Sequence, residues 1–239
     1  MLVVMHEEDC PPGWFGSWLT EAGMTLDVCP AYRRPLPTDL QTYDGLLVLG
    51  GDMGAYDDAT HPWLTMTKAL IRDAVAQRLP FLGICLGHQL AAVALGGSVE
   101  VNAHGHARGI TPLGLTSAGI EDELFHVTID EAPALQWNHD VVTTLPPGAT
   151  LLATDPDLSV QAVNFAPRAW GVQFHPEAGS DIFARWVRER LGHAPPARVD
   201  VAAAYAEVRK HERDLERAWK PLAERFAAIT ADAAVARVA

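Results

Sequence analysis

Cysteine is scarce in this sequence. Cys10, Cys29 and Cys85 are the only three in 239 residues, and no two of them form a C-x-x-C pair. An odd, widely spaced set argues against a disulfide framework and against a cysteine-built zinc site, and it fits a reducing cytoplasm. Positive charge is short as well: 18 Lys and Arg stand against 30 Asp and Glu, a formal net charge of −12. Binding nucleic acid needs a surplus of cations gathered on one face, so no nucleic-acid partner is expected. No apolar run is long enough to span a bilayer. The opening residues MLVVMHEEDC lack the basic start of a secretory signal and turn acidic at Glu7, Glu8 and Asp9. The expectation is a cytoplasmic protein with no membrane contact. A glycine-rich phosphate loop is also missing, so no nucleotide site of that kind is expected.

What is present is an ordinary globular balance, 49% hydrophobic and 20% charged, in a chain long enough to bury a core without staples. Short Val, Leu and Ile runs recur between helical patterns, as in strands buried on both faces of a parallel sheet. Leu2 to Met5, Leu46 to Leu49 and Phe81 to Ile84 are the clearest. Between the last two, Trp63, Met66, Leu70, Ile71 and Val75 keep helical spacing, and Pro80 closes the pattern, which makes a βαβ unit. A second helix carries Leu90, Val93 and Ala94 and ends at Gly96-Gly97. From Ser98 to Phe174, short alternating runs broken by Pro and Gly predict an antiparallel or mixed extension of the sheet. A helix through Ile182, Phe183, Trp186, Val187 and Leu191 follows, and then HAPPAR reads as a linker. Beyond it, Val201, Tyr205, Val208, Leu215, Trp219, Leu222, Phe226 and Ile229 form an apolar seam that Glu212 interrupts, with Pro221 expected to kink or split the helix. The expected division is a main domain over 1–193 and a helical extension over 199–239. The seam fits docking on its own domain or pairing with a second copy as a homodimer.

Gly83-Ile84-Cys85-Leu86-Gly87 lies between a predicted strand and a predicted helix, the setting of a nucleophile elbow. The bend strains the nucleophile's backbone, and only residues without a Cβ can crowd beside it. The helix N-terminus favours the thiolate, and the N–H of Leu86 is placed to donate to an oxyanion. Alone, the pattern fits an inert buried cysteine equally well, so the neighbours decide. A thiol nucleophile needs an imidazole and a third group to orient it. His175 and Glu177, two residues apart in Gly171-Val172-Gln173-Phe174-His175-Pro176-Glu177, would share one face of an extended chain. Gly50-Gly51 at a strand end would let backbone approach a ligand. Asn138, His139 and Asp140 read equally as a hairpin turn. Asn102, His104 and His106 lack the further ligands of a closed metal site and read as a solvated loop. Neither metal nor cofactor is expected.

Four segments together, Gly50-Gly51-Asp52, Gly83 through Gln89, Trp137-Asn138-His139-Asp140 and Gly171 through Glu177, resemble the class I or triad glutamine amidotransferases. The likeness is to free-standing members similar to the amidotransferase domain of GMP synthetase. The resemblance implies a flavodoxin-like α/β fold; with the patterns above, the expectation is a three-layer sandwich with a mostly parallel central sheet and an antiparallel extension, and a C-terminal helical tail from about Asp200 that the family's core domain does not need. It also implies that Cys85 attacks the γ-carboxamide of glutamine, His175 moves the proton and Glu177 holds the ring. Backbone N–H groups of Gly51 and Leu86 would form the oxyanion hole, and Gln89 with Asn138, His139 and Asp140 would contact the substrate. A separate synthetase subunit would be the partner that receives ammonia. Two alternatives stay open: the same triad acting on γ-glutamyl peptides or amides, and a binding protein that kept the fold without the chemistry.

Overall fold

A computed structural model describes residues 1–191 and 201–238. The strands are β1 (Leu2–Met5), β2 (Asp27–Pro30), β3 (Leu46–Val48), β4 (Phe81–Ile84), β5 (Ser98–Val101), β6 (Ala107–Leu115), β7 (Ala132–Asn138), β8 (Asp140–Thr144), β9 (Thr150–Thr154), β10 (Val160–Ala166) and β11 (Ala169–Val172). The helices are α1 (Gly13–Glu21), α2 (Trp63–Gln77), α3 (Leu86–Ala94), α4 (Ser117–Glu121), α5 (Ser180–Leu191), α6 (Val201–Lys210) and α7 (Glu212–Val238). Nine strands form one sheet in the order β2-β1-β3-β4-β11-β10-β9-β6-β7. The first five run parallel, in the flavodoxin-like order, and the last four join antiparallel. The expected extension is therefore present, except that β5 and β8 leave it to pair as a separate ribbon.

Alternation along the parallel strands divides the core in two, because successive side chains point to opposite faces. Leu2, Val4, Leu46, Val48 and Phe81 pack with Leu70, Ile71 and Leu90 of α2 and α3. Val3, Leu47, Leu82 and Ile84 pack with Phe15 and Leu19 of α1, Phe183 of α5 and Leu222 and Phe226 of α7. The result is three layers. Helix α1 and edge strand β2 have no counterpart in the sequence reading, since both are short and β2 ends in proline.

The linker expected at 193–198 lies outside the described residues. The apolar seam of the tail is occupied by its own domain: Trp219 is buried against Phe174, ring centroids 4.3 Å apart, and donates to the Pro133 carbonyl at 2.8 Å. Glu212 breaks the seam for a structural reason, because its carboxylate accepts the Ser180 N–H at 3.0 Å, one of the unpaired donors at the start of α5. The helix divides at His211, between α6 and α7, and not at Pro221, which lies inside the continuous α7. Among the described residues, no helix is long and apolar enough to cross a membrane.

Candidate active site

Cys85 joins β4 to α3 with φ 50° and ψ −105°, a conformation that L-residues avoid. Its N–H donates to the Val172 carbonyl at 2.8 Å, and its carbonyl accepts the Gln89 N–H at 3.0 Å, so the bend is fixed on both sides. The two flanking glycines have no substitute. A methyl on Gly83 would stand 2.5 Å from the Gly87 carbonyl carbon, and one on Gly87 would stand 2.2 Å from the Val48 oxygen. Helix α3 thus sits directly on the ends of β3 and β4. The N–H groups of Leu86, Gly87 and His88 precede the first helical hydrogen bond of α3, from Gln89, and so have no intrahelical acceptor. Gly51 belongs to the same corner, since a methyl there would lie 3.1 Å from the Leu86 side chain and 3.0 Å from His6 Cβ.

His175 and Glu177 follow β11. The expected extended chain is replaced by a bend, with Pro176 and Glu177 in a turn. The pairing survives: His175 Nδ1 lies 2.7 Å from Glu177 Oε1, and both residues are buried. The bend is held by the His175 N–H to the Leu135 carbonyl at 2.8 Å and the Trp14 N–H to the Glu177 carbonyl at 2.9 Å. The imidazole packs on Trp186, centroids 4.6 Å apart. Gly50 lies between His175 and Cys85, because a methyl there would be 3.1 Å from His175 Cε1 and 3.6 Å from Cys85 Cβ. Sulfur and imidazole, 90 residues apart in sequence, therefore meet across one glycine.

Burial alone would keep the His175 ring neutral. The Glu177 carboxylate and the adjoining Cys85 sulfur outweigh that penalty and push its pKa up to about 10. With Nδ1 engaged by Glu177, the nitrogen left for the thiol is Nε2, which makes no hydrogen bond of strict geometry to any protein atom. Two other buried histidines show the opposite behaviour. Burial lowers His88 to about 3, and burial together with His61 lowers His6 to about 3. Neither has a carboxylate partner.

A cleft of about 330 Å³, near the small end of the range for small-ligand sites, opens over Cys85. Gly51, Asp52, Cys85 and Gln89 line one side, and Trp137, Asn138, His139 and Asp140 line the other. Asn138 ends β7 and Asp140 begins β8, so the turn expected there and the cleft wall are the same segment. Gln89 Nε2 donates to the Asp140 carbonyl at 2.9 Å, and Asn138 Nδ2 donates to the same oxygen at 3.2 Å. Asn138 Oδ1 is buried without a protein donor. His139 is exposed and pairs through Nδ1 with the Asp140 carboxylate at 3.1 Å.

Two residues here were given no role in the site from sequence. His106 lines the cleft, where a solvated loop was expected. Its ring is 5.4 Å from that of His139, and Nδ1 accepts from Arg108 Nε at 3.2 Å. The loop is held there because buried Asn102 accepts the His104 N–H at 3.0 Å and donates its own N–H to the His139 carbonyl at 2.8 Å. Gln173 is wholly buried and reaches Cys85, with Nε2 to Sγ 3.6 Å. It lies in the quoted segment around His175, but only the fold brings it to the sulfur.

Residues 17–190 match the family model described as glutamine amidotransferase class-I. A γ-glutamyl-L-1-hydroxyisopropylamide hydrolase from a Pseudomonas species is 33% identical over 168 residues, covering 67% of this chain and 56% of that protein. A glutamine-hydrolysing GMP synthase from Geobacillus kaustophilus is 34% identical over 183 residues, covering 73% of this chain and 33% of the synthase. The match thus spans just over half of the first relative and a third of the second. Among solved structures, a glutamine amidotransferase from Thermotoga maritima superposes with a TM-score of 0.85 at 28% identity, covering 95% of this chain and 96% of that one.

Proposed function

This chain belongs to the class I glutamine amidotransferases, and from that membership we propose that it hydrolyses the γ-carboxamide of glutamine through a thioester on Cys85. His175 takes the thiol proton, and the sulfur attacks the amide carbon. The negative charge that develops on the amide oxygen falls to the N–H groups of Leu86 and Gly51, each such donor contributing roughly 3–4 kcal/mol. His175 then gives its proton to the departing nitrogen, the C–N bond breaks, and ammonia leaves. The γ-glutamyl thioester remains. Water, deprotonated by the same imidazole, attacks that carbonyl, the C–S bond breaks, and glutamate is released with the thiol restored. One water is consumed, and no cofactor enters the balance.

The observation that carries this reading is the convergence at Gly50 of a strained cysteine and a carboxylate-held imidazole. Gln89, Asn138, His139 and Asp140 are the proposed substrate contacts. The Asn138 oxygen, buried without a protein donor, suits an ammonium or amide N–H of the ligand. The proposed partner is a separate synthetase subunit that takes up the ammonia. The likeness to a γ-glutamyl amide hydrolase favours a second reading, in which the same triad acts on γ-glutamyl amides or peptides.

Glutamate release from glutamine, glutathione and γ-glutamyl dipeptides, measured for the wild type and Cys85→Ala, with and without cell extract, separates the two. The first reading expects glutamine to react, faster when extract supplies a partner. Reaction of the peptides alone would leave only the second, and Cys85→Ala with wild-type rates would remove both.

A further inference from the structure

Gln89 and Gln173 are both buried, although an amide side chain taken out of water is stabilised only if its polar atoms find partners. Here the partners form a directed chain. The Asp140 carbonyl is a backbone oxygen and can only accept, so it fixes the Gln89 NH₂ toward itself at 2.9 Å. The second Gln89 N–H reaches Gln173 Oε1 at 3.2 Å. That contact turns the Gln173 NH₂ the other way, toward Cys85 Sγ at 3.6 Å. Reversing either amide would set oxygen against oxygen or leave the sulfur without its donor. Gln89 also lines the cleft, and with both its N–H groups spent on protein carbonyls, the oxygen is the atom it can offer a ligand.

Building on the amidase reading above, we propose that Gln173 is a catalytic residue: its amide N–H holds the Cys85 sulfur in the anionic form, and Gln89 fixes that amide from the substrate side. A donor to sulfur favours thiolate over thiol, because only the anion is a strong acceptor. The sulfur then has two supports. His175 is coupled to that sulfur and to Glu177. Gln173 adds a neutral donor that keeps its strength across the pH range. A ligand that engages the Gln89 oxygen tightens the same chain, which ties occupation of the cleft to the state of the nucleophile.

The test is the pH dependence of Cys85 alkylation by iodoacetamide, followed on the Cys85 peptide by mass spectrometry, beside kcat and KM for glutamine. Gln173→Met keeps the bulk and removes the donor. It is expected to move the alkylation midpoint up by about one pH unit and to lower kcat roughly tenfold with KM nearly unchanged. Gln89→Met is expected to move the midpoint in the same direction by less and to raise KM. Should Gln173→Met fail to fold, Gln173→Glu, whose ionised carboxylate cannot donate, is expected to give the larger upward movement. Folded Gln173 variants with the wild-type midpoint would overturn this proposal and leave the amidase reading standing. A wild-type Cys85 no more reactive at neutral pH than Cys10 and Cys29 would overturn both.

Discussion

The two halves of the sheet meet at the cleft but are built to different tolerances. On the parallel side, Gly50 and Gly51 just past β3 and Gly87 in the first turn of α3 have no room for a methyl unless a neighbour moves, and Cys85 is fixed between β4 and α3. On the antiparallel side, His106, His139 and Asp140 hang from strand ends and turns, half-buried or exposed, and hold one another by side-chain contacts. Reacting groups need positions fixed to fractions of an ångström, and strand ends packed under a helix supply that. Recognition of a ligand's outer parts tolerates looser support, and loops supply it. On the proposed reading, chemistry belongs to the first half and selectivity to the second.

The sharpest way to break this division is Cys85→Ala, which should lower glutamate release by about ten-thousandfold or more. A residual rate near wild type would move the chemistry elsewhere. Next is Gly87→Ala, whose methyl meets the Val48 oxygen at 2.2 Å. Overpacking against backbone should cost about 3 kcal/mol or more, read from urea unfolding, with activity lost even where the chain still folds. A stable, active variant would show that the elbow has slack. Glu177→Gln should lower kcat about a hundredfold or more while preserving the fold, since the ring loses its orienting acceptor and its charge. Smallest is His106→Ala on the antiparallel side, expected to raise KM a few-fold with kcat unchanged, because packing and not bond-making is removed. A kcat effect as large as that of Glu177→Gln would erase the distinction between the halves.

The histidines add a pH test. His175 has a folded-state pKa raised to about 10 from an ordinary 6.5, so the folded protein holds a proton that the unfolded chain has released. Its contribution to stability is full below about pH 6.5 and is lost as pH rises toward 10. His6 and His88, lowered to about 3, act in the opposite sense: the unfolded chain binds protons they refuse, so stability is lost as pH falls from about 6.5 toward 3. Urea midpoints measured across pH should show both slopes, and Glu177→Gln should flatten only the alkaline one.

How far the sequence carried can be judged residue by residue. The elbow was legible because Gly-x-Cys-x-Gly between a buried strand and a helix is a local pattern, and the positive φ at Cys85 follows from it. The pairing of His175 with Glu177 was legible because they are two residues apart, although it is made by a turn and not by an extended chain. Gln173 was on the page but silent, since its contact with Cys85 spans 88 residues and depends on β11 lying beside β4. His106 was given no place in the site for a similar reason: the loop is exposed at Ala103, His104 and Gly105, and its approach to the cleft depends on Asn102 binding it to the His139 carbonyl. The tail's apolar seam was visible, but which surface covers it is a matter of tertiary packing that periodicity cannot express.

The central claim is that a γ-glutamyl group is carried on Cys85. Mixing the protein with glutamine, quenching in acid within the turnover time and mapping peptides by mass tests it directly. The account predicts a γ-glutamyl mass increment on the Cys85 peptide alone, discharged by hydroxylamine and absent from Glu177-intact, Cys85→Ala protein. Glutamate formation at full rate with an unmodified Cys85 peptide, or an increment on Cys10 or Cys29, would contradict it.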